Sequence, residues 1–233
     1  DRADKRWSTI GQSFGGFLTL SYLSFAPQSL RDCRITAGLA PIRTSVDNVY
    51  QHTFDRMKER NEEYYSWFPE DAELATRIAE HLRTHKEYLP TGERLTDHRF
   101  QMAGHFLGGR WRERGLHYFL ETAFAEGNDH LSNQFLTAMG AEVTFQANPL
   151  YALMHETIYA DGPADGVLPG IPGYELSPSP APTNWSAARV AASRPEFAPD
   201  ADRLLFTGEH IFPWYYEEDP SLRPLAEVAN LLA

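Results

Sequence analysis

The sequence predicts an α/β core of few strands followed by a long run of helices. Three observations carry this. Residues 1–42 alternate strand-like, helix-like and strand-like runs, which implies two parallel strands in one sheet. From Thr44 to about Leu153 the apolar residues recur at helical spacing against a charged background. A Pro- and Gly-rich stretch, residues 161–183, then breaks the pattern ahead of a final strand and helix.

The first strand is read at Trp7-Ser8-Thr9-Ile10, and a helix from Phe17 to Phe25 is closed by Ala26-Pro27. Between them stands Gly11-Gln12-Ser13-Phe14-Gly15, a G-x-S-x-G pattern in a strand–turn–helix context. That is the setting of a nucleophile elbow, in which a tight turn exposes a serine hydroxyl. Gly11 and Gly15 are read as making room for the turn, and Gly16 as letting the helix approach the sheet. Ser13 is therefore the candidate nucleophile, and the backbone N–H of Phe14, at a helix N-terminus, the candidate oxyanion donor. The plainer alternative is a glycine-rich turn with an idle serine. A second strand is expected at Cys33–Gly38. Two strands do not make a whole α/β sheet, so further core is expected ahead of Asp1.

Helices are expected in SVDNVYQHTFDRMKERNEEYYSWF, with Val46, Val49, Tyr50, Phe54 and Met57 on one face, and in PEDAELATRIAEHLRTHKEYL, which begins acidic and ends basic as a helix dipole favours. Shorter ones are expected in RLTDHRFQMAGHFL, GLHYFLETAFAE, DHLSNQFLTAMGAEV, PLYALMHETIY and NWSAARVAAS. A strand at Leu204–Thr207, a turn at Gly208, an aromatic segment and an amphipathic C-terminal helix complete the reading. The domain boundaries follow: 1–42 for the α/β core, 43–200 for a mainly helical insertion, and 201–233 for what comes after it.

The net charge of −11 argues against a nucleic-acid partner and against an anionic membrane surface, and no apolar window is long enough for a membrane span. Acidity is compatible with a cationic substrate, and equally with ordinary solubility. The one cysteine, Cys33, is expected as a buried structural thiol, which fits a reducing, cytoplasmic setting. The sequon Asn184-Trp185-Ser186 is discounted on that ground. His81 and His85, four apart on a charged helix, are read as a solvated face rather than a metal site. His155-Glu156 opens no zinc motif, because Tyr159 stands where the second histidine would. No cofactor or metal is expected.

At GQSFGGFLTLSYLSFAP, NPLYALMHETIYADG and LLFTGEHIFPWYYEEDPSLRPL the chain resembles the proline iminopeptidase family, serine peptidases of the α/β-hydrolase fold. The resemblance runs along most of the chain. It implies a partial α/β-hydrolase core with an inserted helical cap, and release of N-terminal proline from peptides through an acyl-enzyme. It also implies an HGGPG-like oxyanion loop before the nucleophile and an aspartate and histidine after the cap. None of these is recognised here: HFLGG at His105–Gly109 is read as a helix end, and His210 as a structural or pocket residue. The chain thus reads as a middle segment, inactive by itself.

The substrate so implied, a peptide with a free N-terminal proline, needs a carboxylate for its ammonium and apolar walls for its ring. Glu156 and Glu209 are the candidate anchors, and Tyr151, Tyr159, Trp214 and Tyr215 the candidate walls. An acid that the family carries just ahead of an HYF-like segment is displaced here, with Gly115-Leu116 before His117-Tyr118-Phe119 and Glu113 further off. Two alternatives stay open: another α/β-hydrolase acting on an ester or amide, and a non-catalytic binding module.

Overall fold

The computed structural model describes residues 5–39, 46–109, 111–125, 129–143 and 190–208. They fall in two compact units, one holding the residues up to Val49 and the other those from Tyr50 onward.

The first unit is a parallel β-α-β motif. Strand β1 (Trp7–Gln12) leads through Ser13 into helix α1 (Phe14–Phe25), and a short 3₁₀ turn returns the chain to β2 (Leu30–Thr36). The strands pair in parallel from Ser8 opposite Asp32 to Gln12 opposite Thr36, with an irregularity at Trp7. All three elements depart from the sequence reading at an end. The helix starts three residues early because Gly15 and Gly16, poor helix formers, hid its first turn. The second strand begins at Leu30 because Arg31, Asp32 and Arg34 lie exposed and do not read as strand. Cys33 is half-buried rather than buried, since among the described residues β2 has one strand neighbour only. Ile10, Phe25 and Leu39 are largely exposed.

In the second unit α2 (Val46–Trp67), counted here from Tyr50, presents Tyr50, Phe54, Asn61, Tyr64 and Tyr65 to the core. The spacing of these residues, near three and four, puts them on one helical face. Helix α3 (Glu70–Thr84) has Glu70, Asp71 and Glu73 in its first turn and His81 and Arg83 in its last, matching the dipole. A small antiparallel pair, β3 (Glu87–Tyr88) with β4 (Arg94–Leu95), was not foreseen. It turns through Leu89-Pro90-Thr91-Gly92, where Gly92 takes φ 91°. Helix α4 (Asp97–Gln101) is capped by the Thr96 hydroxyl, which accepts from the Arg99 N–H at 3.2 Å. It runs into a 3₁₀ stretch, Met102–Gly108, that contains the HFLGG sequence up to Gly108. Helices α5 (Glu113–Glu121) and α6 (Asn133–Val143) complete the layer, and Phe119 stacks on Phe135 at 4.5 Å between ring centres.

Leu204–Thr207 is not a strand. All four residues are buried, and side chains of helices satisfy much of their backbone. The Phe206 N–H donates to Asn61 Oδ1 at 2.8 Å, and Asn61 Nδ2 donates to the Phe206 carbonyl at 2.9 Å. Tyr65 Oη donates to the Leu204 carbonyl, and Gln101 Nε2 to that of Leu205. Gly208 takes φ 78° and lies so close to Gly104 that a Cβ on Gly104 would be 2.5 Å from the Gly208 nitrogen. No helix among the described residues is long and apolar enough to cross a membrane.

Candidate functional site

Ser13 sits between the last residue of β1 and the first of α1, with φ 52° and ψ −124°. A serine rarely adopts this conformation, which costs about 1–3 kcal/mol and persists only where the surroundings impose it. Here they do. The Ser13 N–H donates to the Thr36 carbonyl at 3.0 Å, extending the β1–β2 ladder by one residue, and the Ser13 carbonyl accepts from the Gly16 N–H at 2.8 Å. The turn is held at both ends while the side chain is exposed.

Three glycines allow this closeness. A Cβ on Gly11 would lie 2.1 Å from the Gly15 carbonyl oxygen and 2.6 Å from Thr19 Oγ1. One on Gly16 would lie 2.2 Å from the Gly38 oxygen, and one on Gly38 would lie 2.1 Å from the Ser13 oxygen. The sequence reading paired Gly15 with Gly11 in making this room, but nothing lies within 4 Å of a Cβ on Gly15; Gly16 has the close approach to the sheet expected of it, and Gly38 shares it. Gly38 was missed as a packing residue, although its place two residues after β2 was a usable signal.

Phe14 opens α1, and among the described residues its N–H has no hydrogen-bond partner, as expected for the first turn of a helix. That N–H and the helix dipole suit an oxygen carrying negative charge. The sequence of the first unit contains no histidine.

The other predicted site residues, Tyr151, Glu156, Tyr159, Glu209, Trp214 and Tyr215, lie outside the described residues, as does His210. Glu113 is described. It is buried and neutralised by Arg60, which also donates to the Leu107 carbonyl at 3.0 Å. A carboxylate so engaged is already satisfied by a cation of the chain itself.

His117, next to that position, is tied down by a buried acid. Its Nδ1 lies 3.0 Å from Asp71 Oδ2, the Tyr64 hydroxyl donates to the same oxygen, and Phe68 stacks on the imidazole at 4.3 Å. Burial and the hydrogen bond to Asp71 push the Tyr64 phenol well above its ordinary value. Glu70, Asp71 and His117 place one potential ligand atom each within 4.8 Å of one another. Asp71 is spent on binding Tyr64 and His117, so the group reads as a link between α2, α3 and α5.

No family model matches the chain. It is 39% identical over 231 residues to a proline iminopeptidase from Aeromonas sobria, a match covering 99% of this chain and 50% of that protein. It is 32% identical over 234 residues to the proline iminopeptidase aneH from Aspergillus aculeatus, covering 98% of this chain and 47% of that protein. The chain spans about half the length of the curated relatives it matches. Aligned almost end to end over its own length with both, the chain is a homologue of the proline iminopeptidases.

Proposed function

We propose that Ser13 is the nucleophile of a serine aminopeptidase that removes N-terminal proline from peptides, in the gene product that carries this chain. The observation behind the reading is the backbone of Ser13: φ 52° at an exposed strand-to-helix turn, in a chain homologous to proline iminopeptidases. The parallel β-α-β unit then stands for part of an α/β-hydrolase core, and the helical unit for its cap.

In this reading Ser13 Oγ attacks the carbonyl carbon of the N-terminal proline as a base takes the hydroxyl proton. The tetrahedral oxyanion accepts from the Phe14 N–H. The intermediate collapses by releasing the shortened peptide, whose nitrogen receives the proton from the base. Water, deprotonated by the same base, attacks the prolyl ester, frees proline and restores Ser13. The first unit's sequence holds no histidine, and the chain matches only about half of each relative. We place the base and its orienting acid outside these 233 residues, so the segment by itself is inactive. Glu156 and Glu209 hold the proline ammonium, and Tyr151, Tyr159, Trp214 and Tyr215 wall the ring.

The gene product, assayed on proline p-nitroanilide, N-acetylproline p-nitroanilide and p-nitrophenyl acetate, tests this reading. Losing a hydrogen bond to a charged group costs about 1.5–3 kcal/mol, so acetylation lowers turnover of the proline substrate roughly ten- to a hundredfold. Equal cleavage of the two anilides, or cleavage of the ester alone, favours the esterase or amidase reading. No turnover of any of the three favours a binding module.

A further inference from the structure

Among the described residues other than glycine, Ser13, Ala37 and Trp111 have positive φ, at 52°, 49° and 71°. The first two stand at neighbouring ends of paired strands. Gln12 pairs with Thr36 where the β1–β2 ladder ends, so a straight continuation of β2 would set Ala37 beside Ser13 and Gly38 beside Phe14. The chain does not continue straight. Gly38 is buried against the backbone of Ser13 and Gly16, where a Cβ on it would be 2.1 Å from the Ser13 carbonyl oxygen. The reversal of φ at Ala37 turns the chain across the end of β1 and onto the start of α1.

We infer that Ala37 is a positioning residue for the nucleophile and for its oxyanion donor, which rests on Ser13 being that nucleophile. One bend at Ala37 serves two contacts. The Thr36 carbonyl before it accepts from the Ser13 N–H at 3.0 Å, and Gly38 after it closes on the Ser13 carbonyl. That carbonyl also accepts from the Gly16 N–H at 2.8 Å. The Ser13 carbonyl and the Phe14 N–H belong to one planar trans peptide group and point in opposite directions. Contacts that fix the carbonyl therefore aim the N–H to the far side, where an oxyanion would accept from it.

Ala37 itself is exposed, so its methyl group is not packed into the core. The bend is held through the backbone of its neighbours, Thr36 and Gly38. Glycine takes a left-handed φ freely, asparagine tolerates it, and side chains branched at Cβ resist it most. The two strained residues thus maintain each other: if Ala37 relaxes to an extended φ, Gly38 withdraws and Ser13 loses the support that keeps it at φ 52°. Replacements at position 37 therefore rank by their tolerance of positive φ, not by size or polarity.

Ala37→Gly, Ala37→Asn, Ala37→Leu and Ala37→Val are made in the gene product, with Ser13→Ala beside them. The rate of fluorophosphonate labelling reads the nucleophile. Hydrogen exchange in peptic peptides spanning the turn reads its backbone, through the Ser13 and Gly16 amides held there. Ala37→Gly and Ala37→Asn label and exchange within about twofold of the parent. Ala37→Val labels at least about tenfold more slowly and exchanges faster at the turn. Ala37→Leu, unbranched at Cβ, shows the same loss in smaller measure and carries the test where valine impairs folding. A role for the methyl group itself would not be rescued by asparagine. The role of Ala37 is overturned if Ala37→Val and Ala37→Leu label and exchange like the parent, or if Ala37→Asn loses as much as they do. Labelling that persists unchanged in Ser13→Ala refutes the reading of Ser13 itself, whatever the exchange at the turn.

Discussion

Replacing Gly38 by alanine puts a methyl group against the backbone of the candidate nucleophile. Its Cβ would lie 2.1 Å from the Ser13 carbonyl oxygen, 2.9 Å from the carbonyl carbon and 3.0 Å from the nitrogen. Carbon and oxygen pack no closer than about 3.3 Å, so one backbone must move by about 1 Å. Overpacking of this kind costs about 1–3 kcal/mol, since no flexible side chain lies in the way to yield. If Ser13 is the nucleophile, a shift of that size also lowers its reactivity about a hundredfold. The first effect is read by urea unfolding of the chain, followed by far-ultraviolet circular dichroism. The second is the rate at which a fluorophosphonate labels the gene product. Gly15→Ala is the internal comparison: nothing lies within 4 Å of its Cβ, and alanine in a helix gains about 0.5–1 kcal/mol over glycine. The reasoning is refuted if Gly38→Ala unfolds and labels like the parent, or if Gly15→Ala is the more damaging change.

Asn61→Ala removes both partners of the buried Phe206 peptide groups. Each unsatisfied group costs about 1–3 kcal/mol, so a loss of roughly 2–6 kcal/mol is expected in urea unfolding, and a loss under 1 kcal/mol would contradict the role given to Asn61. Burial would raise the Glu87 carboxyl, but hydrogen bonds from His81, from the Leu131 N–H and from His130 hold it below its ordinary 4.5. A depressed carboxyl contributes stability that is present above its unfolded value and lost as pH falls through its folded value. Unfolding midpoints measured from about pH 6 to about pH 3 should therefore fall more steeply below pH 4.5 in the parent than in Glu87→Gln. Parallel profiles would show that the carboxylate is not held as described.

Local chemistry made the turn at Ser13 legible, because glycine, serine and glycine at fixed offsets between a strand and a helix require no knowledge of distant residues. The long helices were legible for the same reason: Tyr50, Phe54 and Asp71 declare a face or a terminus within one or two turns. What failed depended on partners. Leu204–Thr207 has the composition of a strand, but whether a strand forms depends on a neighbouring strand, and here Asn61, Tyr65 and Gln101 took the backbone instead. The Glu87–Leu95 pairing was within reach, since proline and glycine two apart mark a tight turn, yet the helix pattern of α3 was carried through it. His81 was read from its charged neighbours on one helix, whereas its surroundings come from Glu87 and Phe124. Gly38 contacts Ser13 only after the β-α-β crossover has formed, which no single stretch of sequence displays.

The role of Ser13 is tested most directly by which atom of the gene product a fluorophosphonate modifies. Digestion of the labelled protein and mass spectrometry of its peptides should place the adduct on Ser13, with none formed in Ser13→Ala. An adduct on a different serine, or labelling that persists unchanged in Ser13→Ala, would contradict it.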